Sequence, residues 1–245
     1  MARFFITTEN INDNQITISG NDAFHIARSL RMAVGDEVTV CDESGAEYLT
    51  RLTRIRDDEC TAEILDKSEG KTESPVEITL YMAYPKGDKL ETVVQKSVEL
   101  GASAIVPFES SRCIKRPAQD KADKITDRLS RIAEEAAKQC GRSRLPKVSK
   151  MIKFPELLTR IKDYDLPLFC YEGTGAESLK TVLESYGRAD GRIAVIIGSE
   201  GGFSPEEAAS IIGEGAKCVN LGPRILRCET APDYCLSAIS YHFEL

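Results

Sequence analysis

Residues 196–203 have the sequence Ile-Ile-Gly-Ser-Glu-Gly-Gly-Phe and follow directly on an apolar run that predicts a buried strand. A second junction of the same kind lies at residues 221–230, with the sequence Leu-Gly-Pro-Arg-Ile-Leu-Arg-Cys-Glu-Thr. Glycine lets backbone N–H and C=O groups approach a ligand, because it has no Cβ in the way. In α/β sheets, ligands bind at the carboxyl ends of the strands. The two junctions therefore predict ligand-binding loops, and they match neither the dinucleotide-binding nor the P-loop glycine pattern.

Strands and helices alternate along the chain on both sides of these junctions. A helix start is predicted at Ser204, where Pro205 and Glu207 complete a capping sequence. Another is predicted at Asp88, with Gly101 as its stop. This alternation is the signature of a mostly parallel α/β sheet. The predicted strands lie at 76–82, 105–108, 166–171, 193–197 and 218–221, and the other predicted helices at 125–140 and 232–245.

The first part of the chain has a different pattern, with short strand candidates separated by turn residues. A short helix is predicted near residues 22–30, and the whole pattern predicts a small β-barrel. Residues 66–75 contain no apolar residue that could anchor a core and end in Ser-Pro, which predicts a linker. We therefore expect two domains, at 1–70 and 71–245. The strand candidates of the first domain lie at 4–8, 16–18, 38–41, 48–55 and 60–65.

The composition is that of a globular protein, and it argues against several classes of function. Of the 245 residues, 42% are hydrophobic and 29% are charged. No apolar run approaches the roughly 20 residues that span a bilayer, and the start of the chain lacks the pattern of a signal peptide. A cytoplasmic location is therefore expected. Eight cysteines without a Cys-x-x-Cys pair, and only two histidines, argue against a metal site. We interpret the cysteines as reduced packing residues.

At the two loops the sequence resembles a known family. Residues 198–204 (Gly-Ser-Glu-Gly-Gly-Phe-Ser) and residues 221–231 resemble the second and third motifs of SPOUT methyltransferases, in the RsmE branch. Two positions depart from the pattern of that branch: Ser199 stands where proline is usual, and Cys228 stands where threonine is usual. The resemblance extends over nearly the whole chain. Its further segments lie at 3–5, 25–36, 85–89, 95–101 and 135–142.

The resemblance implies a fold and an activity. The C-terminal part would be a SPOUT α/β-knot, in which the chain threads a loop to form a deep trefoil knot, and the N-terminal part would be a PUA-like β-barrel. The activity would be methylation of N3 of a specific uridine in 16S ribosomal RNA, with S-adenosyl-L-methionine as cofactor. The enzyme would be a homodimer, and Leu236 and Ile239 on the last helix are candidates for its apolar interface. The residues implied to bind the cofactor are Tyr171, Glu172, Ile197, Gly198, Glu200, Gly201, Leu221, Gly222 and Leu226.

Methylation at uracil N3 requires removal of a proton or stabilisation of the uracil anion. Glu229 and Glu200, one in each loop, are the candidate bases. Arg224 and Arg227 are candidates to offset negative charge or to bind phosphate. Glu229 could equally be a helix-terminal carboxylate that the helix dipole favours, and both interpretations stay open.

Charge is unevenly distributed along the chain, whose net charge is −7. Residues 1–73 contain 8 Lys and Arg against 15 Asp and Glu, whereas residues 109–150 contain 12 against 6. A basic segment in an acidic protein can still attract the phosphates of RNA. An RNA contact in the acidic first part would need a local basic face. Besides Arg227, the candidate RNA contacts are Arg112, Lys115, Arg116 and Arg142 in the basic segment, and Arg3, Arg28 and Arg31 nearer the start.

Two other functions remain open on the sequence. A non-catalytic RNA-binding assembly factor could keep the same scaffold, and other SPOUT branches methylate a different RNA atom such as a ribose 2′-oxygen. The glycines and charged residues of both loops favour an enzyme. Naked ribosomal RNA and an assembled small subunit are equally compatible with the sequence as substrates.

Overall fold

The computed structural model describes the chain over residues 1–114, 121–173 and 175–245. The chain divides into two compact units. The first combines residues 1–73 with residues 137–145, and the second combines residues 74–136 with residues 146–245. The first unit is therefore discontinuous in sequence, a feature that no pattern in the sequence indicates.

The first unit is built on a sheet with these elements: β1 (Arg3–Phe5), β2 (Ile11–Asn12), β3 (Gln15–Ser19), α1 (Asn21–Phe24), β4 (Glu37–Cys41), β5 (Ala46–Ile55) and β6 (Glu59–Glu69). The strand order is β1-β4-β5-β6-β3-β2, and only β1 and β4 pair in parallel. Alternate residues such as Ile16 and Ile18 are buried, because one face of the sheet covers the core. Helix α1 continues as a π-helical turn over His25–Ser29 and adds Ile26 to this core.

The long hairpin of β5 and β6 overturns part of the predicted linker. Residues 66–69 belong to β6 and pair with residues 46–49 of β5. Their side chains are exposed, so backbone hydrogen bonds rather than apolar burial hold this end of the strand. A polar, exposed strand end has no strand pattern in its sequence, which is why the prediction failed there.

A partly buried ion-pair network holds residues 137–145 in the first unit. The guanidinium of Arg142, whose side chain is 5% exposed, bonds to the carboxylate of Glu73. Arg3 donates to Glu47 at 2.8 Å, and the hydroxyl of Ser143 donates to the same carboxylate oxygen at 2.7 Å. Burial alone would raise the pKa of Glu73, but the hydrogen bond and charge of Arg142 outweigh it and lower that pKa. Pairing of this kind is what allows a guanidinium to be buried.

The second unit is an alternation of strands and helices. Its strands are β7 (Glu77–Ala83), β8 (Ala104–Glu109), β9 (Lys147–Val148), β10 (Ile152–Lys153), β11 (Leu166–Cys170), β12 (Glu177–Ser178), β13 (Arg192–Ile197) and β14 (Lys217–Asn220). Its helices are α2 (Lys89–Glu99), α3 (Ala122–Cys140, whose last turn belongs to the first unit), α4 (Phe154–Arg160), α5 (Leu179–Tyr186), α6 (Pro205–Gly213) and α7 (Thr230–Glu244).

The sheet of the second unit is parallel throughout, in the order β10-β8-β7-β13-β11-β14-β12, with β9 beside β8. Strands β7 and β13 are buried along almost their whole length, as expected for parallel strands with helices on both faces. The predicted parallel α/β sheet is confirmed. The short helices α4 and α5 were not predicted from the sequence.

Two predicted helix starts have different outcomes. Ser204 accepts a hydrogen bond from the backbone N–H of Glu207, and the Glu207 carboxylate accepts the N–H of Ser204, so the capping box before α6 is present. Asp88 precedes α2, but its side chain makes no capping hydrogen bond. The turn before α2 instead donates the backbone N–H of Lys86 to both carboxylate oxygens of Glu200, at 3.2 Å.

The strand order brings three strand ends together. β11 lies between β13 and β14, and all three strands run parallel. Their carboxyl ends, at Cys170, Ile197 and Asn220, therefore meet at one edge of the sheet. The last helix, α7, then returns to pack against α2 and β13.

Two further observations concern membrane-spanning helices and the cysteines, both of which were considered from the composition. Among the described residues, no helix has both the length and the apolarity needed to cross a membrane. The thiols of Cys41, Cys60, Cys113, Cys228 and Cys235 are buried, as expected for packing residues.

Candidate cofactor and catalytic site

A cleft of about 610 Å³ lies at the edge of the sheet where β11, β13 and β14 end. A volume of this order suits a small-molecule ligand. Both glycine-rich loops line it, and every residue predicted to bind the cofactor is among its walls. The structure thus brings together Tyr171, Glu172, Ile197, Gly198, Glu200, Gly201, Leu221, Gly222 and Leu226.

The first loop, which follows β13, is packed so tightly that side chains would not fit at two of its glycines. A Cβ on Gly198 would lie 3.0 Å from the ring of Phe203, and a Cβ on Gly201 would lie 2.7 Å from the carbonyl oxygen of Arg112. The turn is closed by a hydrogen bond from the N–H of Gly202 to the carbonyl of Ser199, at 2.9 Å. Gly198 and Gly201 are therefore required by contacts within the protein, a different reason from the one inferred from the sequence.

The second loop, which follows β14, needs glycine at position 222 for its backbone conformation. Gly222 has φ +99°, a region that residues with a side chain rarely adopt, and a Cβ there would make only an ordinary contact, 4.0 Å from the hydroxyl of Tyr234. The carbonyl oxygen of the Asn220 side chain accepts the N–H of Gly222 at 3.3 Å, while its amide donates to the carbonyl of Ala176 at 3.0 Å. One side chain thus fixes the turn that leads from β14 into the loop.

Lys89, the first residue of α2, joins the two loops, and it was not among the predicted site residues. Its Nζ lies 2.9 Å from Oε1 of Glu200 in the first loop and 3.1 Å from Oε2 of Glu229 in the second. Sequence reasoning missed this contact because Lys89 lies more than a hundred residues before either glutamate. The one signal in the sequence was the resemblance at 85–89, which carries no information about partners.

Lys89, Glu200 and Glu229 form a lysine–carboxylate cluster, and their contacts fix the charge state of each side chain. Hydrogen bonds to Glu200 and then to Glu229 raise the pKa of Lys89 to about 12. Burial alone would raise the pKa of Glu200, but Lys89 and backbone N–H groups outweigh it and hold that pKa below its usual range. For Glu229, burial is likewise outweighed by hydrogen bonds from Cys228 and Lys89, and its pKa is lowered. At neutral pH the three side chains therefore carry one net negative charge.

Glu229 lies at the N-terminus of α7, where it could have been a helix cap. Its side chain makes no capping hydrogen bond. It faces the cleft and accepts from the thiol of Cys228 at 3.2 Å as well as from Lys89. Burial, and then the hydrogen bond to Glu229, raise the pKa of Cys228 to about 12, so the thiol keeps its proton at neutral pH.

The walls of the cleft fit a cofactor that joins an adenine to a positively charged sulfur. Val219, Leu221, Ile225 and Leu226 supply apolar surface of the kind that an adenine ring packs against. The net negative charge of the lysine–carboxylate cluster suits a sulfonium or an ammonium group.

Two predicted RNA contacts, Arg112 and Arg227, and the predicted catalytic residue Arg224 lie beside this cleft. Arg224 and Arg227 are exposed among its lining residues, and their guanidinium groups form no ion pair with another described residue. Arg112 is also exposed and donates to the carbonyl of Gly201, at 3.4 Å. Lys115 and Arg116, which were predicted to act with them, lie outside the described residues.

Glu207 positions the segment that carries Arg112, and sequence reasoning recognised it only as part of a cap. Its buried carboxylate accepts the backbone N–H of Ser111 at 2.7 Å and the Ser111 hydroxyl at 2.8 Å. The same carboxylate closes the capping box of α6 through Ser204. One side chain therefore ties the start of α6 to the residues that follow β8.

The predicted RNA contacts in the first unit have different surroundings. Arg142 is buried against Glu73, and Arg3 is held by Glu47, so neither guanidinium is presented to RNA. For these two arginines the structure contradicts the prediction, because charge counted along the sequence does not reveal pairing. Arg28 is exposed but bonded to Asp57. Arg31 is exposed and forms no ion pair with another described residue.

The apolar surface proposed for a dimer interface was assigned to the wrong residues. Leu236 and Ile239 are fully buried within the second unit. The exposed large side chains of α7 are Tyr234 and Tyr241, at 46% and 74%. Helical spacing identified the apolar face of α7, but that face packs inside the unit.

Comparison with known proteins identifies relatives for both parts of the chain. The model of an RNA methyltransferase domain matches residues 72–240, and that of an RNA methyltransferase PUA domain matches residues 18–65. The ribosomal RNA small subunit methyltransferase E of Bacillus subtilis is 34% identical over all of this chain and 98% of its own length. The protein of the same name from Synechocystis is 30% identical over 97% of this chain and 77% of its own length.

A solved structure gives the same result. The ribosomal RNA small subunit methyltransferase E of Neisseria gonorrhoeae, bound to S-adenosyl methionine, superposes with a TM-score of 0.86 at 32% identity. The match covers 98% of this chain and 97% of the other. The predicted fold class, a SPOUT α/β domain with an N-terminal PUA-like part, is confirmed. From the two matching domains, the full-length relatives and this superposition it follows that the chain belongs to the ribosomal RNA small subunit methyltransferase E family.

Proposed function

We propose that this protein is an S-adenosyl-L-methionine-dependent methyltransferase that methylates N3 of a uridine in 16S ribosomal RNA. The observation that carries the proposal is the cleft at three strand ends, where two glycine-rich loops meet a lysine–carboxylate cluster. Membership of the family supports the reaction, and the cofactor bound to the Neisseria relative supports the methyl donor. Such a cofactor supplies a methyl group on a positive sulfur for an in-line displacement.

The proposed cofactor contacts follow the two loops. Leu221, Gly222 and Leu226 contact the adenine through backbone groups and apolar side chains. The first loop lies on the side of the ribose and the methionine, where the excess carboxylate charge is complementary to positive charge. The contacts on that side come from Ile197, Gly198, Glu200 and Gly201, with Tyr171 and Glu172 completing the pocket.

Glu229 is the proposed proton acceptor for uracil N3, and Glu200 is its alternative. A carboxylate whose pKa is held low by Lys89 is a weak base. We therefore assign the larger part of the catalysis to positive charge that stabilises the uracil anion. Arg224 and Arg227, exposed at the same cleft, are the proposed source of that charge.

Ribosomal RNA, naked or in an assembled small subunit, is the proposed partner. Arg112 and Arg227 at the cleft are proposed phosphate contacts of the methyltransferase domain, 71–245. The PUA-like domain, 1–70, is proposed to contribute to RNA recognition through Arg31 and, if its pair with Asp57 opens, Arg28.

A cytoplasmic homodimer is also proposed, since the exposed tyrosines of α7 offer apolar surface to a partner subunit. Sedimentation at micromolar concentration distinguishes a dimer from the 27.0 kDa monomer.

The experiment that tests the proposed activity uses the purified full chain, isotopically labelled S-adenosylmethionine and small ribosomal subunits that lack the modification. Mass spectrometry of the nucleosides should detect labelled 3-methyluridine. A labelled ribose 2′-O-methyl nucleoside would replace N3 by another RNA atom as the target. Absence of any labelled nucleoside, from naked RNA and from subunits alike, would favour a non-catalytic assembly factor.

A further inference from the structure

Lys89 occupies a position in the cleft that neither the motifs nor the proposed reaction accounts for. Its ammonium group lies between one carboxylate of each loop, at 2.9 Å from Glu200 and 3.1 Å from Glu229. The two loops come from different strands, β13 and β14. Because both carboxylates lie against one nitrogen, they are also close to each other, and the cation between them offsets their repulsion.

The segment around Lys89 is itself anchored to the first loop. The backbone N–H of Lys86 donates to both oxygens of Glu200 at 3.2 Å, and Lys89 follows three residues later as the first residue of α2. Each loop is therefore tied to α2, which packs against α7. A rigid helix, and not a mobile side chain alone, sets the spacing of the loops.

We propose that Lys89 is the positioning residue that holds the two cofactor loops at binding distance, and that proton uptake by the Glu200–Glu229 pair can substitute for it. The proposal rests on the assignment of the cleft to S-adenosylmethionine. Without the ammonium group the two carboxylates repel each other and the loops separate. One proton on the pair removes the repulsion and lets the carboxyl groups share a hydrogen bond.

Other charged and titratable groups also face this cluster. From the second loop, the Cys228 thiol lies 3.9 Å from Nζ of Lys89. Burial raises the pKa of this thiol to about 12, so it stays protonated from pH 5 to pH 8.5. Arg224 and Arg227 line the same cleft. On α2, Glu91 lies in the first turn and pairs with Arg128 at 2.7 Å, and Asp88 is the residue before the helix. Glu200 and Glu229 are therefore the pair whose titration should govern the response.

The test is the affinity of the full chain for S-adenosylmethionine, measured by calorimetry from pH 5 to pH 8.5. For Lys89→Met we expect affinity about tenfold or more below wild type at pH 8, recovering to within about threefold at pH 5, where the carboxyl pair takes up a proton. For wild type we expect nearly constant affinity over this range, because the pKa of Lys89 is far above it and those of both glutamates are lowered.

Two further variants test whether charge is the cause. Lys89→Arg keeps the cation and should bind the cofactor like wild type at every pH. The double variant Lys89→Met with Glu229→Gln removes the repulsion without a proton, and it should recover most of the lost affinity at pH 8.

Lys96→Met is the matched control. Lys96 lies on the same helix and makes the same kind of ion pair to α7, at 2.8 Å from Asp233, but it does not line the cleft. Its replacement should change cofactor affinity by less than about twofold and leave the pH profile flat. Thermal unfolding of each variant establishes that it is folded.

The outcomes separate the inference from the function on which it rests. If wild type binds no S-adenosylmethionine at any pH, the assignment of the cleft fails. If wild type binds and Lys89→Met follows the wild-type profile, Lys89 does not position the loops. If Lys89→Met binds weakly at every pH, and neither acid nor Glu229→Gln restores its affinity, repulsion between Glu200 and Glu229 is not the cause of the loss. The proposed electrostatic role of Lys89 is then wrong.

Discussion

At the scale of single residues, the glycines of the cleft differ in what they require. Gly198 and Gly201 leave room for Phe203 and for the backbone of Arg112. Gly222 instead adopts φ +99°, and a Cβ there would have no close neighbour. The sequence predicted that glycines matter in these loops. It could not distinguish the two reasons, because glycine is the expected residue both next to a close neighbour and at a positive φ.

Gly222→Ala should lower affinity for S-adenosylmethionine about tenfold, since the methyl group forces a backbone conformation that costs on the order of 1–3 kcal/mol and the loop shifts to relieve it. Calorimetric titration measures the loss. Gly213→Ala is the control: it lies in α6, has no positive φ, and its Cβ would meet no atom within 4 Å. Equal affinity for both variants would mean that the conformation of Gly222 is not needed for binding.

At the scale of elements, the sequence predicted helix and strand ends that depend on residues close together in the chain. The capping box of α6 was predicted from Ser204 and Glu207 and is present. The predicted cap at Asp88 is absent, because the turn before α2 is directed by Glu200, a contact distant in sequence. The end of β6 was missed for the same reason: residues 66–69 are ordered by pairing with β5 and not by their own side chains.

Glu207→Ala should reduce the free energy of unfolding by about 1–3 kcal/mol, because it removes a cap and the carboxylate that accepts two hydrogen bonds from Ser111. The loss of Ser111 contacts should also let Arg112 move and weaken RNA binding. Chemical denaturation and filter binding measure the two effects. Glu184→Ala removes only an exposed ion pair with Lys180 on α5, and it should leave both nearly unchanged. Similar losses in the two variants would remove the special role of Glu207.

At the scale of the whole molecule, charge counted along the sequence overstates the charge available to RNA. In the basic segment 109–150, Arg142 is paired with Glu73, Arg128 with Glu91 and Lys150 with Asp123. The loops of the site were predictable because each follows its own strand. The Lys89 contacts were not, because they depend on which strands lie side by side, and no single stretch of sequence encodes that order.

If the cleft arginines contact phosphate, the double variant Arg112→Ala with Arg227→Ala should bind small-subunit ribosomal RNA more weakly than wild type. The slope of log affinity against log salt should fall by about 1 to 2, the number expected for two lost phosphate contacts. Filter binding across a salt series measures it. Arg160→Ala removes an exposed arginine that pairs with Glu156 within α4 and serves as the control. An unchanged slope in the double variant would move the phosphate contacts to other residues, with Arg31 as the next candidate.

The discontinuity of the first unit has a consequence for how the protein is made. Its ion-pair network joins Arg3 and Glu47 to Arg142 and Ser143, so the unit lacks part of its interior until residue 145 has been synthesised. At a translation rate of roughly 5–20 residues per second, the ribosome needs about 4 to 14 s to add the intervening residues 74–145. During that interval the carboxylates of Glu47 and Glu73 lack these partners, and residues 74–136 of the second unit are added to the chain. The apolar core of residues 1–73 can therefore form before the network around Glu47 and Glu73, which is completed only when residues 137–145 arrive.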